Sequence, residues 1–338
     1  MNIFQSAALA LFLTTPFAQA EPAGVSDLSI EAPHHGRPLT GTLFYPTKGG
    51  GSEILYADNP VFQGVPALKD APIADGSYPL VLMSHGLGGH VRSLGWLSTA
   101  LAERGAIVVA VNHPNSTWGD FNLRAGMDHW TRSQDLKAAL DSLLADPEIG
   151  DRIDRTRITA AGFSYGGWTA LSLGGLRGNL ESAAAHCETY GDASSHCGDL
   201  QRGGVRWSDM VAAEWNADYS DPRVSAVFAI DPALTWGMRP ENAEALVDDV
   251  TLVSLGEGEH RLLATDFDLA ELPAALPDAQ IVRITSGAHF SVLPVCKPMG
   301  AIILEEENDD PVCTDPAGTD RAALHSEIIA AMTDQLGL

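Results

Sequence analysis

The chain has 338 residues, of which 45% are hydrophobic and 19% charged, a globular balance with ample apolar material for a core, which excludes an intrinsically disordered chain. Its 44 acidic residues against 20 basic ones give a net charge of −24, so the surface repels nucleic acid and anionic membranes and suits solubility in salty water. No stretch is long and apolar enough for stable insertion across a membrane.

Residues 1–20 read as a secretory signal peptide. Ala7 to Leu13 form an apolar run, and Ala18-Gln19-Ala20 is a small-x-small cleavage site before Glu21, although the segment lacks Lys and Arg. Export to the periplasm or the exterior is therefore expected, and all the charge stays with residues 21–338. Residues 25–46 alternate like early antiparallel strands with a turn around His35-Gly36-Arg37-Pro38. Residues 47–78 are rich in Gly, Pro, Asp and Ala and are expected to be irregular.

Tyr78 to Ser84 is a continuous apolar run of the kind that makes a strand buried on both faces. It ends in His85-Gly86-Leu87-Gly88-Gly89, a turn small enough to leave backbone N–H groups pointing outward. A helix over 91–104, a strand over 106–111 and an amphipathic helix over 130–146 follow, the last with Leu136, Leu140, Leu143 and Leu144 on one face. Arg157 to Ala161 is a further strand. It runs into Gly162-Phe163-Ser164-Tyr165-Gly166, the Gly-x-Ser-x-Gly nucleophile elbow, and then into a helix that ends at Gly174-Gly175.

Residues 176–222 break this rhythm and read as a lid-like insertion over the carboxyl ends of the strands. Strands over 223–230, 250–255 and 280–284 and a closing helix over 320–336 complete the chain. Alternating strands and helices imply an α/β fold with a mostly parallel central sheet and helices on both faces. The organisation expected is one domain over 21–338 with the insertion at about 176–222.

The four cysteines fall as two close pairs, Cys187 with Cys197 and Cys296 with Cys313. Four cysteines allow three pairings, of which the two local ones are favoured in an oxidising compartment. A zinc site is not expected, because the spacings fit no finger and the neighbouring His186 and His196 sit in a polar loop.

Ser164, Asp231 and His289 each follow a predicted buried strand, in the Ser, acid, His order of α/β-hydrolases. His289 would act as base and Asp231 would orient it. The N–H groups of Leu87 and Tyr165 would form the oxyanion hole. Glu257 is the alternative acid, with Glu259 close behind. His85 is expected to brace the oxyanion turn and His113 to line the pocket. His34 and His35, being adjacent, are expected to diverge in a surface loop, and His325 to be a packing or surface residue.

Ser84 to Gly89, Gly162 to Gly167, the Asp231 strand end and Gly287-Ala288-His289-Phe290-Ser291 together resemble the platelet-activating-factor acetylhydrolase family and its bacterial relatives called predicted dienelactone hydrolases. The resemblance covers most of residues 36–336, including the second cysteine pair and Asp320 to His325. It implies the α/β-hydrolase fold, places the acid after the strand that follows the nucleophile helix, hence at Asp231, and matches the oxyanion donors to Leu87 and Tyr165. True dienelactone hydrolases use a cysteine nucleophile, and this chain has Ser164 there.

The function expected is a secreted or periplasmic serine hydrolase that cleaves carboxylic esters of short acyl chains through an acyl-enzyme. The alternatives are a polyester (cutinase-like) or lipase-like hydrolase and, more distantly, a peptidase or a non-catalytic binding protein on a hydrolase scaffold. A lid would obstruct a polymer chain. No phosphate loop or dinucleotide fingerprint is present, so no cofactor is expected.

Overall fold

The computed structural model of the protein describes residues 21–338. The predicted export signal at 1–20 lies outside the described residues. Four strands open the fold: β1 (Gly24–Ile30), β2 (Leu39–Tyr45), β3 (Ser52–Tyr56) and β4 (Val65–Lys69). The next elements are β5 (Tyr78–Ser84), α1 (Gly95–Glu103), β6 (Ile107–Val111) and a short hairpin of β7 (Ser116–Thr117) and β8 (Asp120–Phe121). Helices α2 (Leu123–Gly126) and α3 (Trp130–Ala145) lead to β9 (Ile153–Phe163) and α4 (Tyr165–Gly174). Three helices, α5 (Leu180–Tyr190), α6 (Ser195–Arg202) and α7 (Ala212–Trp215), fill the segment before β10 (Ala226–Ile230). The chain closes with β11 (Asp249–Leu255), α8 (Leu272–Ala275), β12 (Gln280–Ile284), α9 (Gly300–Glu307) and α10 (Arg321–Leu336).

Ten strands form one sheet in the order β12-β11-β10-β9-β5-β6-β2-β1-β4-β3. From β12 to β6 every neighbouring pair is parallel, as the alternation of strands and helices led us to expect. Strand β2 runs antiparallel to both β1 and β6. Residues 47–78 depart from the expectation of irregular structure, because β3 and β4 pair there as an antiparallel hairpin at the sheet edge. Half of their residues are exposed and only Ala67 and Leu68 are buried, and an edge strand with a solvated face carries no continuous apolar run to betray it.

The central strands are largely apolar because helices cover both faces. Leu80, Val81, Leu82, Ile107, Val108 and Val109 are fully buried. On one face α1 and α10 pack together over Phe44, Val81, Val108 and Phe228. On the other, α3 and α4 cover Leu80, Leu82, Val109 and Ile158, and the 176–222 segment adds Leu200 and Trp215 to that layer.

Register sets the site. Ser84 lies opposite Gly162, and Phe163 opposite Ile230, so β5, β9 and β10 end level with one another. The chain leaves β5 toward β6 on one side and later returns to β9 on the other. The turns after β5 and β9 therefore part around a crevice at the carboxyl edge, which is where open α/β sheets bind ligands.

Candidate active site

Ser164 stands between β9 and α4 with φ 56° and ψ −118°. A non-glycine residue at such a φ costs on the order of 1–3 kcal/mol, and the surroundings hold it there. Its N–H donates to the Ile230 carbonyl at 2.8 Å, and its carbonyl accepts the Ala233 N–H at 3.1 Å. The flanking glycines let the backbones close in. A Cβ on Gly166 would strike the Ser84 carbonyl, and one on Gly167 would lie 3.0 Å from Pro232 Cα.

His289 opens a short 3₁₀ turn after β12, and Asp231 directly follows β10. His289 Nε2 lies 3.1 Å from Ser164 Oγ, and Nδ1 lies 2.6 Å from Asp231 Oδ2. Three further donors reach the fully buried Asp231: the Leu255 N–H at 3.1 Å, the Thr265 hydroxyl at 2.8 Å and the Arg261 guanidinium. Burial pushes the Asp231 carboxyl up, but the His289 hydrogen bond and the charges of His289 and Arg261 outweigh it and hold the group below its ordinary value. Glu257 and Glu259 are exposed, and His289 Nδ1 is paired with Asp231 instead. Arg261 and Thr265 carried no sequence signal, since each is an ordinary residue in a polar loop.

The turn that carries His289 is bolted from behind. Trp96 Nε1–H donates to the Val292 carbonyl at 2.9 Å, and the Ser291 hydroxyl to Asp315 at 2.6 Å. Asp315 pairs with Arg321 at 2.7 Å, and Arg321 also reaches the Pro294 carbonyl at 3.1 Å. The Cys296–Cys313 disulfide closes the same region. His325 is buried here, stacked on Trp96 at 3.7 Å.

Across the crevice lies His85-Gly86-Leu87-Gly88-Gly89. Gly88 turns at φ 70° and its N–H donates to the Ser116 carbonyl at 2.9 Å. Among the described residues the Leu87 and Tyr165 N–H groups bond no backbone carbonyl of a turn or loop. His85 braces the turn as expected, with Nδ1 donating to the Gly86 carbonyl at 2.7 Å and Nε2 accepting the His113 N–H at 3.2 Å.

Beneath both turns sits the fully buried Arg132 of α3. Its guanidinium donates to Thr169 Oγ1 at 2.9 Å, Ser116 Oγ at 2.6 Å, Ser84 Oγ at 3.0 Å and the His85 carbonyl. It also lies 4.6 Å over the Tyr165 ring, a cation–π contact. Burial pushes Arg132 down to about 10, which leaves it charged at neutral pH. One residue thus ties the turn after β5 to the first turns of α4.

Three histidine expectations need correction. His113 does not line the pocket: it is fully buried, 2.9 Å from Ser84 Oγ through Nε2 and 2.8 Å from Asp135 Oδ2 through Nδ1. His34 and His35 do not diverge, for both rings turn inward onto Asp135 Oδ1, at 2.7 and 2.8 Å. His186 and His196 are not in a polar loop. They occupy the buried sides of α5 and α6, whose apolar partner is Trp236. His186 stacks on Trp236 at 4.1 Å, and Trp207 packs edge-on to Trp236 and Trp215. Burial, with the nearby His289 charge, pushes His196 down to about 4. Its Nδ1 is buried without a partner among the described residues. The Cys187–Cys197 disulfide joins α5 to α6 beneath this aromatic wall.

The structure is similar to that of a ferulic acid esterase from Streptomyces cinnamoneus, with a TM-score of 0.60 over 96% of this chain and 91% of that one, at 18% identity. The chain has the α/β-hydrolase fold. Residues 58–119 of this chain match the family of platelet-activating factor acetylhydrolase, isoform II. Lipase 1 of a Moraxella species is 28% identical over 159 residues, covering 46% of this chain and 40% of that protein. Cutinase est1 of Thermobifida alba is 32% identical over 114 residues, covering 33% of this chain and 36% of that protein. The chain thus spans well under half the length of these curated relatives.

Proposed function

We propose that the protein is a serine hydrolase of carboxylic esters, with Ser164 as nucleophile, His289 as general base and acid, and Asp231 as orienting acid. The observation that carries this reading is the relay of 2.6 and 3.1 Å hydrogen bonds that ends on the left-handed Ser164. Kinship with a lipase and a cutinase, each named for ester cleavage, supports the same reading.

Asp231 accepts the His289 Nδ1–H and so leaves Nε2 free to take the Ser164 proton. Ser164 Oγ then attacks the ester carbonyl carbon. The carbonyl oxygen becomes an oxyanion that accepts the Leu87 and Tyr165 N–H groups, each such donor being worth roughly 3 kcal/mol. His289 passes the proton to the leaving alcohol, and an acyl group remains on Ser164. A water that gives its proton to His289 then releases the acid and restores the hydroxyl.

The substrate carries a short acyl group, and the 176–222 segment serves as its lid, with His196 near the base. The two disulfides and the signal-like N-terminal sequence favour an exported protein. Kinship with a cutinase favours one second reading, a hydrolase of polyesters. The test is hydrolysis of aryl esters of increasing acyl length, beside release of soluble product from a polyester film. Activity that falls with chain length and is lost in Ser164→Ala supports the first reading. Product from the film at a comparable rate supports the second. No hydrolysis of any ester, and no labelling of Ser164 by a fluorophosphonate, overturns both.

A further inference from the structure

Away from the crevice, one carboxylate gathers three imidazoles. His34 and His35 occupy a single 3₁₀ turn between β1 and β2, led by Pro33 and closed by Gly36 at φ 65°. Their rings lie 4.4 Å apart, and both Nε2 atoms face Asp135 Oδ1 of α3, about a hundred residues away in sequence. The other oxygen, Oδ2, takes the His113 Nδ1–H.

These hydrogen bonds satisfy the buried carboxylate, and they also bring two imidazole nitrogens and one carboxylate oxygen to a single partly exposed point. The three donor atoms, His34 Nε2, His35 Nε2 and Asp135 Oδ1, lie within 4.8 Å of one another. We propose that they form a binding site for a divalent transition-metal ion of the zinc class.

The donor set decides the class. Two imidazole nitrogens with one carboxylate suit zinc, whereas calcium and magnesium call for oxygens and waters. Zinc ligands of a tetrahedral site stand roughly 3.3 Å apart, as bond lengths of about 2.0–2.1 Å require. The 2.7 and 2.8 Å separations present here are those of hydrogen bonds, and a sub-ångström outward shift of the turn admits the ion. The His34 side chain is 21% exposed, which supplies an entry and room for a water as fourth ligand, while Asp135 is 1% exposed. His113 stands behind the carboxylate where an outer-shell hydrogen bond orients a ligand. Binding moves each neutral ring's proton from Nε2 to Nδ1, so the rings stay neutral and no redox partner is involved. The ion would tie the β1–β2 turn to α3 and, through His113 and Ser84, stiffen the floor of the oxyanion turn.

A chain with net charge −24 attracts divalent ions everywhere, so the test must separate a site from an atmosphere. The chelator-treated full chain, disulfides intact, is loaded with zinc chloride and passed through gel filtration in excess magnesium. We expect one zinc per chain to be retained, and cobalt(II) in its place to give the visible bands of a tetrahedral nitrogen–oxygen site. His34→Gln and His35→Gln, each checked for native circular dichroism, should each weaken zinc binding by at least about tenfold. Loss of zinc from the wild type under magnesium, or equal retention by both variants, overturns the proposal. Should neither variant fold, the wild-type cobalt spectrum decides alone, and an octahedral, aqueous-like spectrum overturns it.

Discussion

The molecule contains two Ser–His–Asp relays of nearly equal geometry. In one, Ser164, His289 and Asp231 are linked at 3.1 and 2.6 Å. In the other, Ser84, His113 and Asp135 are linked at 2.9 and 2.8 Å. Distances alone do not tell them apart, but the surroundings do. Ser84 is the last residue of β5, held in register between Val111 and Gly162 and fully buried. Its oxygen already accepts an N–H of the Arg132 cation, which withdraws the electron density a nucleophile needs. Burial and Arg132 push His113 down to about 4, which makes it a poor base at neutral pH. Ser164 sits instead on a left-handed elbow at the carboxyl end of β9, where among the described residues its hydroxyl accepts no hydrogen bond from a cation. In the proposed reading the relay that ends on the strained, edge-placed Ser164 is the catalytic one. The other relay is an internal brace.

The largest expected effects break the Ser164 relay. Ser164→Ala should lower kcat on an aryl ester by roughly 10⁵–10⁶-fold with its melting temperature close to that of the wild type. Asp231→Asn should cost about 10⁴-fold, because an amide at Asp231 favours the wrong His289 tautomer. It should also weaken acid resistance in a defined direction. A carboxyl whose folded pKa is depressed stabilises the fold above its unfolded value, near 3.9, and loses that contribution as pH falls through the folded value. Unfolding monitored by fluorescence below pH 4 should therefore lose part of its pH dependence in Asp231→Asn. Retention of full kcat in either variant would remove the assigned nucleophile or acid.

Ser84→Ala sharpens the comparison. It strands His113 Nε2 and one Arg132 N–H in the interior, at a cost of about 1–3 kcal/mol in unfolding free energy. The ester-cleaving rate should change by less than about tenfold, because only the floor of the oxyanion turn softens. A loss approaching that of Ser164→Ala would mean that the brace is part of the chemistry.

The alternation of apolar runs and helical faces made the parallel sheet legible, because strands buried on both sides have to be apolar. The elbow was legible for a related reason: only glycine at 162 and 166 lets β9, α4 and the Ser84 carbonyl pass so close. Asp231 and His289 stood out by following strands, at the one edge where loops converge. The hairpin of β3 and β4 did not, since half of its residues are exposed and its alternation is weak. The brace was missed because its parts lie up to about a hundred residues apart. One clue was present: Arg132 and Asp135 share the buried face of α3 with Leu136, Ala139 and Leu140, and charges on such a face need partners. His34 and His35, read as neighbours that point apart, were two of those partners. A 3₁₀ turn places successive side chains closer to one direction than a strand does, and local sequence does not reveal that turn.

The smallest expected effect concerns the rival acid. Glu257 follows β11, a position that fits the chemistry as well as Asp231 does when only the order of residues is considered. In the structure Glu257 is exposed, whereas Asp231 is fully buried and receives donors from His289, Arg261, Thr265 and the Leu255 N–H. A solvated carboxylate is well screened and holds no imidazole in one tautomer. Glu257→Gln should therefore leave kcat within about twofold and shift stability by no more than about 0.5 kcal/mol, as an exposed substitution does. The measurement is kcat on an aryl ester for Glu257→Gln and Asp231→Asn side by side. A loss of about a thousandfold or more in Glu257→Gln, with Asp231→Asn left active, would exchange the two roles and make the buried carboxylate behind His289 a second brace, built like the one around Asp135.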